Sequence, residues 1–173
     1  RVVKIYREAN NNISRFWRDC QNMLVGMSRG TVKAFGTHGI IKPVATDHFV
    51  GVRLPSGLLM KYGDLKWAQG ERGIEFDYKT RRGRTRIYGG KVVENVCQGI
   101  ARCVIAEQML DIAKKYRVVL TVHDSIACCV PLDKAKEARV YIETCMRKTP
   151  TWAEGLPLDC ESGIANAYGD CEP

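Results

Sequence analysis

Arg117-Val118-Val119-Leu120-Thr121-Val122-His123-Asp124-Ser125-Ile126-Ala127-Cys128-Cys129-Val130-Pro131 is the stretch from which the rest of the chain reads outward. Two apolar runs flank the polar knot His123-Asp124-Ser125. Their Val, Leu, Ile and Thr are residues that strands favour. The pattern predicts a hairpin with Asp124-Ser125 at the centre of its turn, because Asp tolerates left-handed backbone and bonds its own main chain. Asp124 has two readings here. It is a turn former and nothing more, or it is a carboxylate held at a rigid tip to bind a hard metal ion.

With 173 residues, 45% hydrophobic and 27% charged, the chain has room for a real core and is not compositionally disordered. Net charge is +8 and the isoelectric point is near 9.1. Such a balance favours a polyanionic partner, nucleic acid before membrane. No apolar run reaches membrane-span length. The eight cysteines form no C-x-x-C pair, which argues against a zinc ribbon or a redox motif. They read as free thiols in a reducing, cytoplasmic setting. Cys128 and Cys129 are neighbours on a strand and should face opposite ways. The chain opens Arg1-Val2-Val3, without Met and already in helical pattern, so it reads as a piece of a longer protein.

From Val2 to about Met27, Ile5, Ala9, Ile13, Phe16, Trp17, Cys20, Met23 and Leu24 recur at helical spacing and predict one amphipathic helix. Between Thr31 and Arg86 short β-like runs surround turn signals. His48 to Leu54, the turn Pro55-Ser56-Gly57 and Leu58 to Tyr62 read as a hairpin, and Ile74 to Tyr78 as a further strand. His38 and His48 have no ligand set around them and are assigned no metal. Lys79-Thr80-Arg81-Arg82-Gly83-Arg84-Thr85-Arg86 carries five cations in eight residues and no acid. It is either a solvated loop or a loop that touches phosphates.

Tyr88-Gly89-Gly90 opens the longest helix, about Lys91 to Lys115, with Val92, Val96, Ile100, Cys103, Ala106, Leu110 and Ala113 as the expected buried stripe. Lys91, Glu94, Asn95, Gln98 and Arg102 share the other face of its first half. That face is either plain solvated surface or a row of donors and acceptors laid along the minor groove of a duplex, where readout is tolerant of sequence. Gly99 would allow close approach to a neighbour. Asp133 to Lys148 predicts a helix with Asp133 as N-cap, and Leu156 to Glu161 a last strand. The C-terminal order of helix, hairpin, helix and strand suggests an antiparallel sheet covered by helices on one face.

The ordered set resembles the C-terminal part of a family A polymerase, the DNA polymerase I family, in its phage-type branch. Tyr6-Arg7 to Phe16-Trp17 is similar to the helix after the nucleotide-binding helix of the fingers. Leu54-Pro55-Ser56-Gly57 with Tyr62 resembles the small hairpin that follows. Tyr88-Gly89-Gly90-Lys91, Glu94-Asn95 and Gln98-Gly99 with Ala101-Arg102 resemble the palm helix along the primer-template duplex. Val122-His123-Asp124-Ser125 resembles the third polymerase motif, and Trp152-Ala153 with Gly155-Leu156-Pro157-Leu158 the closing palm strand.

The resemblance implies an α+β fold, an antiparallel palm sheet with a catalytic hairpin packed by helices, plus part of a helical fingers region. It implies three segments: a fingers-derived helix at 1–30, a hairpin and basic-loop segment of the fingers at 31–87, and palm with the third-motif hairpin at 88–173. The implied activity is addition of deoxynucleotides to a primer 3′ end on a DNA template by two-metal phosphoryl transfer. Asp124 would bind Mg²⁺ together with a second aspartate outside this chain, and His123 would touch the primer end. Lys91, Asn95, Gln98 and Arg102 would lie along the duplex, and Arg81, Arg82, Arg84 and Arg86 would meet its phosphates. Primer-template DNA, deoxynucleoside triphosphates and the remainder of the polymerase are the implied partners.

Two departures bear on this. Ser125 stands where DNA polymerases of the family mostly carry Glu, and His-Asp-Ser is the form of the related single-subunit RNA polymerases, which makes these a rival reading. The family's first motif and its nucleotide-binding fingers helix do not occur in these residues, so the chain alone is expected to be inactive. A catalytically silent duplex-binding module, with Asp124 as turn residue only, is the second rival.

Overall fold

The computed structural model describes residues 2–31, 41–46, 49–70 and 73–171. The fold is mixed α+β. Contacts divide the chain into two units, Arg1–Ile100 and Ala101–Pro173. His38 and His48 lie outside the described residues.

The first unit begins with two helices, α1 (Val2–Ala9) and α2 (Asn11–Ser28), where the periodicity predicts one. The break is at Asn10, whose φ of −120° and ψ of 57° leave the helical region. Asn10-Asn11-Asn12 is a run of side chains that compete for main-chain partners. Asn10 Nδ2 donates to the Tyr6 carbonyl at 3.0 Å. Past the break, α2 buries Cys20, Met23, Leu24 and Met27, one stripe at i, i+3, i+4 and i+7 spacing. Burial pushes the Cys20 thiol up to about 12, so it is a packing thiol and not a nucleophile.

Five strands follow as an antiparallel meander: β1 (Lys42–Ala45), β2 (Val50–Arg53), β3 (Leu59–Gly70), β4 (Gly73–Thr80) and β5 (Gly83–Ile87). The β2–β3 hairpin is the one expected. Its turn closes with the Gly57 amide donating to the Leu54 carbonyl at 2.9 Å, and Gly57 has φ 88°, a conformation that glycine adopts without steric cost. The basic run is not a loop. Lys79, Thr80 and Gly83 to Arg86 are paired strand residues, and only Arg81-Arg82 form the turn. Alternation across 83–87 is polar on both faces until Ile87, which hides the strand from a hydrophobicity pattern. Helix α2 packs against β1, β2 and β3, over a core that includes Val52, Leu54, Tyr62, Phe76 and Ile87.

Helix α3 (Gly89–Ala113) starts two residues before the expected position. Its first turn meets α2 backbone to backbone. A Cβ on Gly89 would lie 2.0 Å from the Trp17 carbonyl oxygen, and the Gly89 amide donates to Gln21 Oε1 at 2.8 Å. Val92 and Val96 are fully buried. Gly99 faces Leu54 and Met60, as its lack of a side chain allows.

The second unit holds the rest of α3, the hairpin β6 (Val118–Val122) and β7 (Ser125–Cys128), and α4 (Ala135–Met146). Its core gathers Ile112, Tyr116, Ala138 and Cys145, with Val118, Ile126, Cys128, Tyr141 and Ile142 packed around them. Here α3 departs from the expected stripe. Leu110 is 63% exposed, while Val104, Gln108 and Ile112 are buried. Steps of four residues, rather than a return to three, turn the buried face past Leu110. Gln108 is a buried polar residue whose Nε2 donates to the Met146 carbonyl, tying α3 to the end of α4.

Two further expectations are corrected. Asp133 does not cap α4: Leu132–Lys134 form a 3₁₀ turn, the Lys134 amide donates to the Pro131 carbonyl at 3.0 Å, and no side-chain cap bond forms. Leu156–Glu161 is not a strand, and the sheet of this unit has two strands. Pro157 has no amide to give a ladder. Side chains hold the segment instead, with Thr149 Oγ1 donating to the Leu156 carbonyl at 3.0 Å and Arg147 donating to Asp159 and to the Cys160 carbonyl. Glu143 accepts from Ser162, Arg139 and Arg147.

Two predictions follow from this packing. Gly89→Ala overlaps main chain that cannot yield, so it should cost about 3 kcal/mol, the upper range for overpacking. Gly90→Ala meets only the Tyr88 ring and gains helix propensity, so it should cost far less; urea unfolding of both variants distinguishes them. The second concerns acid. Hydrogen bonds from Ser162, Arg139 and Arg147 hold Glu143 down to about 2, and those from Lys114 and Lys148 hold Asp111 down to about 2. Depressed carboxylates contribute stability that is present above their unfolded pKa and lost as pH falls through the folded one. The melting temperature should therefore fall between about pH 4.5 and 2, and Glu143→Gln should flatten that fall.

Candidate functional site

Val122 pairs with Ser125, so His123 and Asp124 are the two turn residues and Ser125 already belongs to β7. The turn sits one residue before the position expected for it. His123 has φ 53°, a left-handed conformation costing about 1 kcal/mol for a residue with a Cβ. The price is small because the strands beneath are anchored: Val118, Ile126 and Cys128 pack on the core of the second unit. His123, Asp124 and Ser125 are all exposed. The tip is thus held from below while its side chains face solvent. Cys128, the last residue of β7, is half-buried, and Cys129, just past the strand, is exposed.

In the first unit, α3 presents Lys91, Glu94 and Gln98. Lys91 Nζ pairs with Glu94 Oε1 at 2.7 Å, and Gln98 Nε2 reaches the same oxygen at 3.5 Å. The Glu94 carboxylate raises the Lys91 pKa. Asn95 is half-buried, and burial raises the pKa of the nearby Tyr62, whose hydroxyl is buried without a hydrogen-bond partner among the described residues. So Asn95 turns partly inward, while Gln98 is exposed. Arg102, in the second unit, is exposed as well.

The cations of the basic run do not act alike. Arg84 is consumed within the ribbon. Its Nε donates to Asp77, its Nη1 to Asp64 Oδ2 at 2.7 Å and its Nη2 to the Asp64 carbonyl at 2.8 Å. Arg86 pairs with Glu75 at 3.2 Å. Among the described residues, Lys79, Arg81 and Arg82 have no acidic partner. Asp64 and Asp77, which decide this division, escape sequence reading. Asp64 sits at φ 47° where the β3–β4 register shifts between Gly63 and Lys66, and a Gly inside a strand pattern is the signal that marks such a bulge.

Asp124 is a single carboxylate. Among the described residues no three His, Cys, Asp or Glu side chains gather as a metal-binding group. The described residues therefore do not by themselves fit a Mg²⁺ site, which wants several oxygen ligands. All eight cysteines are free. No helix among the described residues is long and apolar enough to cross a membrane.

No family model and no solved structure matches the chain. It is similar to a DNA polymerase of Bacillus phage SP02, with 30% identity over 175 aligned residues. The match covers 96% of this chain and 26% of the polymerase, so the chain spans about a quarter of the length of that relative.

The ion-pair geometry makes a testable distinction within the basic run. Arg84→Ala leaves Asp77 without its cation and Asp64 with Lys66 alone, at 3.5 Å, and should lower the melting temperature. Arg81→Ala and Arg82→Ala remove exposed turn residues and should leave it unchanged within error. Thermal unfolding followed by circular dichroism reads both.

Proposed function

We propose that this chain is part of a DNA-directed DNA polymerase of the DNA polymerase I family, and contributes palm and some fingers to an enzyme that adds deoxynucleotides to a primer 3′ end. The observation that carries the reading is the likeness to a phage DNA polymerase along nearly the whole chain. The His123-Asp124 tip supports it, because a reacting centre needs groups that are rigidly held yet open to substrate. A relative that is a DNA polymerase also favours DNA over RNA as product despite Ser125.

In this reading Asp124 is one carboxylate ligand of Mg²⁺, and the further ligands come from another part of the polymerase. His123, at the same tip, contacts the primer strand near its end. Lys91, Gln98 and Arg102 offer donors to the duplex, and Asn95, half-buried, offers its amide less freely. Lys79, Arg81 and Arg82 are the cations of the basic run free to meet phosphates. Arg84 and Arg86 instead shape the ribbon that carries them. The chain alone does not polymerise.

In the polymerase that contains this chain, Asp124→Ala should lower primer extension at least about a hundredfold, the scale on which metal-site ligands and their supports act. Affinity for primer-template DNA should stay within about threefold, since a removed carboxylate takes away no phosphate contact. Single-turnover extension and duplex binding by anisotropy give the two numbers. Extension at the unaltered rate would remove Asp124 from the site.

A further inference from the structure

We propose that the outer part of the β3–β4 ribbon is a binding site for single-stranded DNA, with Trp67 as its stacking platform. Strand register supplies the geometry. Pairing of β2 with β3 ends at Tyr62, and pairing of β5 with β4 ends where Ile87 meets Phe76. Beyond that row, Ala68–Gly70 and Gly73–Glu75 pair only with each other. Trp67, Phe76 and Ile87 lie side by side across β3, β4 and β5. Phe76 and Ile87 are each 2% exposed, whereas Trp67 is 57% exposed. The apolar cover of the sheet therefore stops short of Trp67, and its indole is offered to solvent. Ile74, on the same face and nearer the end of the ribbon, is 38% exposed.

An exposed apolar face invites a protein or a base. Charge favours the base. Residues 59–87 carry eight Lys and Arg against four Asp and Glu. Of those cations Lys79, Arg81 and Arg82 have no acidic partner among the described residues. A second copy of this ribbon would bring like charge against like charge. Single-stranded nucleic acid instead satisfies both features, since every base has a π face for an indole and every nucleotide a phosphate for a cation. Along β4, the row of Trp67, which crosses at Phe76, and the turn at Arg81-Arg82 are separated by about five residues, roughly 17 Å. That is a span of a few nucleotides.

The proposal takes nucleic acid as partner class from the polymerase reading. Its test is binding and not synthesis, so the two fail separately. The 173-residue chain is titrated with a labelled oligo-dT of about a dozen nucleotides, followed by anisotropy. Trp67→Ala should weaken binding about tenfold and Trp67→Phe by less than about threefold, as stacking on any aromatic ring predicts. Arg81→Ala with Arg82→Ala should reduce the slope of log affinity against log salt by about one to two. Circular dichroism checks that each variant is folded. Equal affinity of Trp67→Ala and the parent overturns the proposal, as does an absence of oligo-dT binding by the parent. Loss of self-association in Trp67→Ala at unaltered oligo-dT affinity overturns it too, in favour of a protein-docking face.

Discussion

The backbone contact between Gly89 of α3 and Trp17 of α2 sets the geometry of the first unit. A helix N-terminus leaves amides without partners. Here one of them is satisfied by Gln21 from the neighbouring helix, so the same point is both a close approach and a cap. Once α3 is pinned there, residues three and four apart follow it inward. Val92 and Val96 are buried, and Gly99 lies against Leu54 and Met60. Positions 89, 92, 96 and 99 form one side of a helix. The exposure of Glu94 and Gln98, and the outward place of half-buried Lys91, are then a consequence of packing, because they occupy the side that those contacts leave free.

The second constraint is the saturation of Arg84. A guanidinium presents five donors in a fixed fork, and the Asp64 and Asp77 groups take them in a way that a lysine could not reproduce. The fork joins β5 to β4 and to the irregular point of β3, where Asp64 holds its left-handed backbone. A run of five cations is thereby split. Arg84 and Arg86 work inside the sheet, while Arg81 and Arg82 stand at its turn. Basic composition and a basic surface are different things, and the acids on facing strands decide which one a sequence yields.

How legible each part is depends on how local its cause is. The α3 helix reads directly from Val92, Val96 and their repeats, because its buried stripe is long. The Leu54–Gly57 turn reads from Pro, Ser and Gly chemistry. The break at Asn10 was visible only as three adjacent asparagines, a weak signal against a strong apolar period. The inward turn of α3 at Gln108 depends on the end of α4, nearly forty residues away, and no window of sequence contains both. The segment after Leu156 has strand-like composition but takes its bonds from Thr149 and Arg147 side chains, a long-range outcome that local pattern does not encode. Strand β5 is hidden for the opposite reason, since paired charges across the sheet replace the hydrophobic alternation that would reveal it.

The hairpin shows why a turn and a reactive tip are compatible readings of the same residues. Turn chemistry favours Asn, Asp or Gly at a left-handed position, yet His123 occupies it at φ 53°, while Asp124 takes the following place. Glycine would hold that conformation at less cost, although histidine enters it more often than most residues do. The fold can carry that strain because Ile126 and Cys128 are seated in a core shared with Ile112 and Tyr116, so the energy of the strands outweighs a cost confined to one residue. An imidazole and a carboxylate on adjacent exposed positions, both free of side-chain partners among the described residues, are compatible with a plain turn and with a tip that presents them outward.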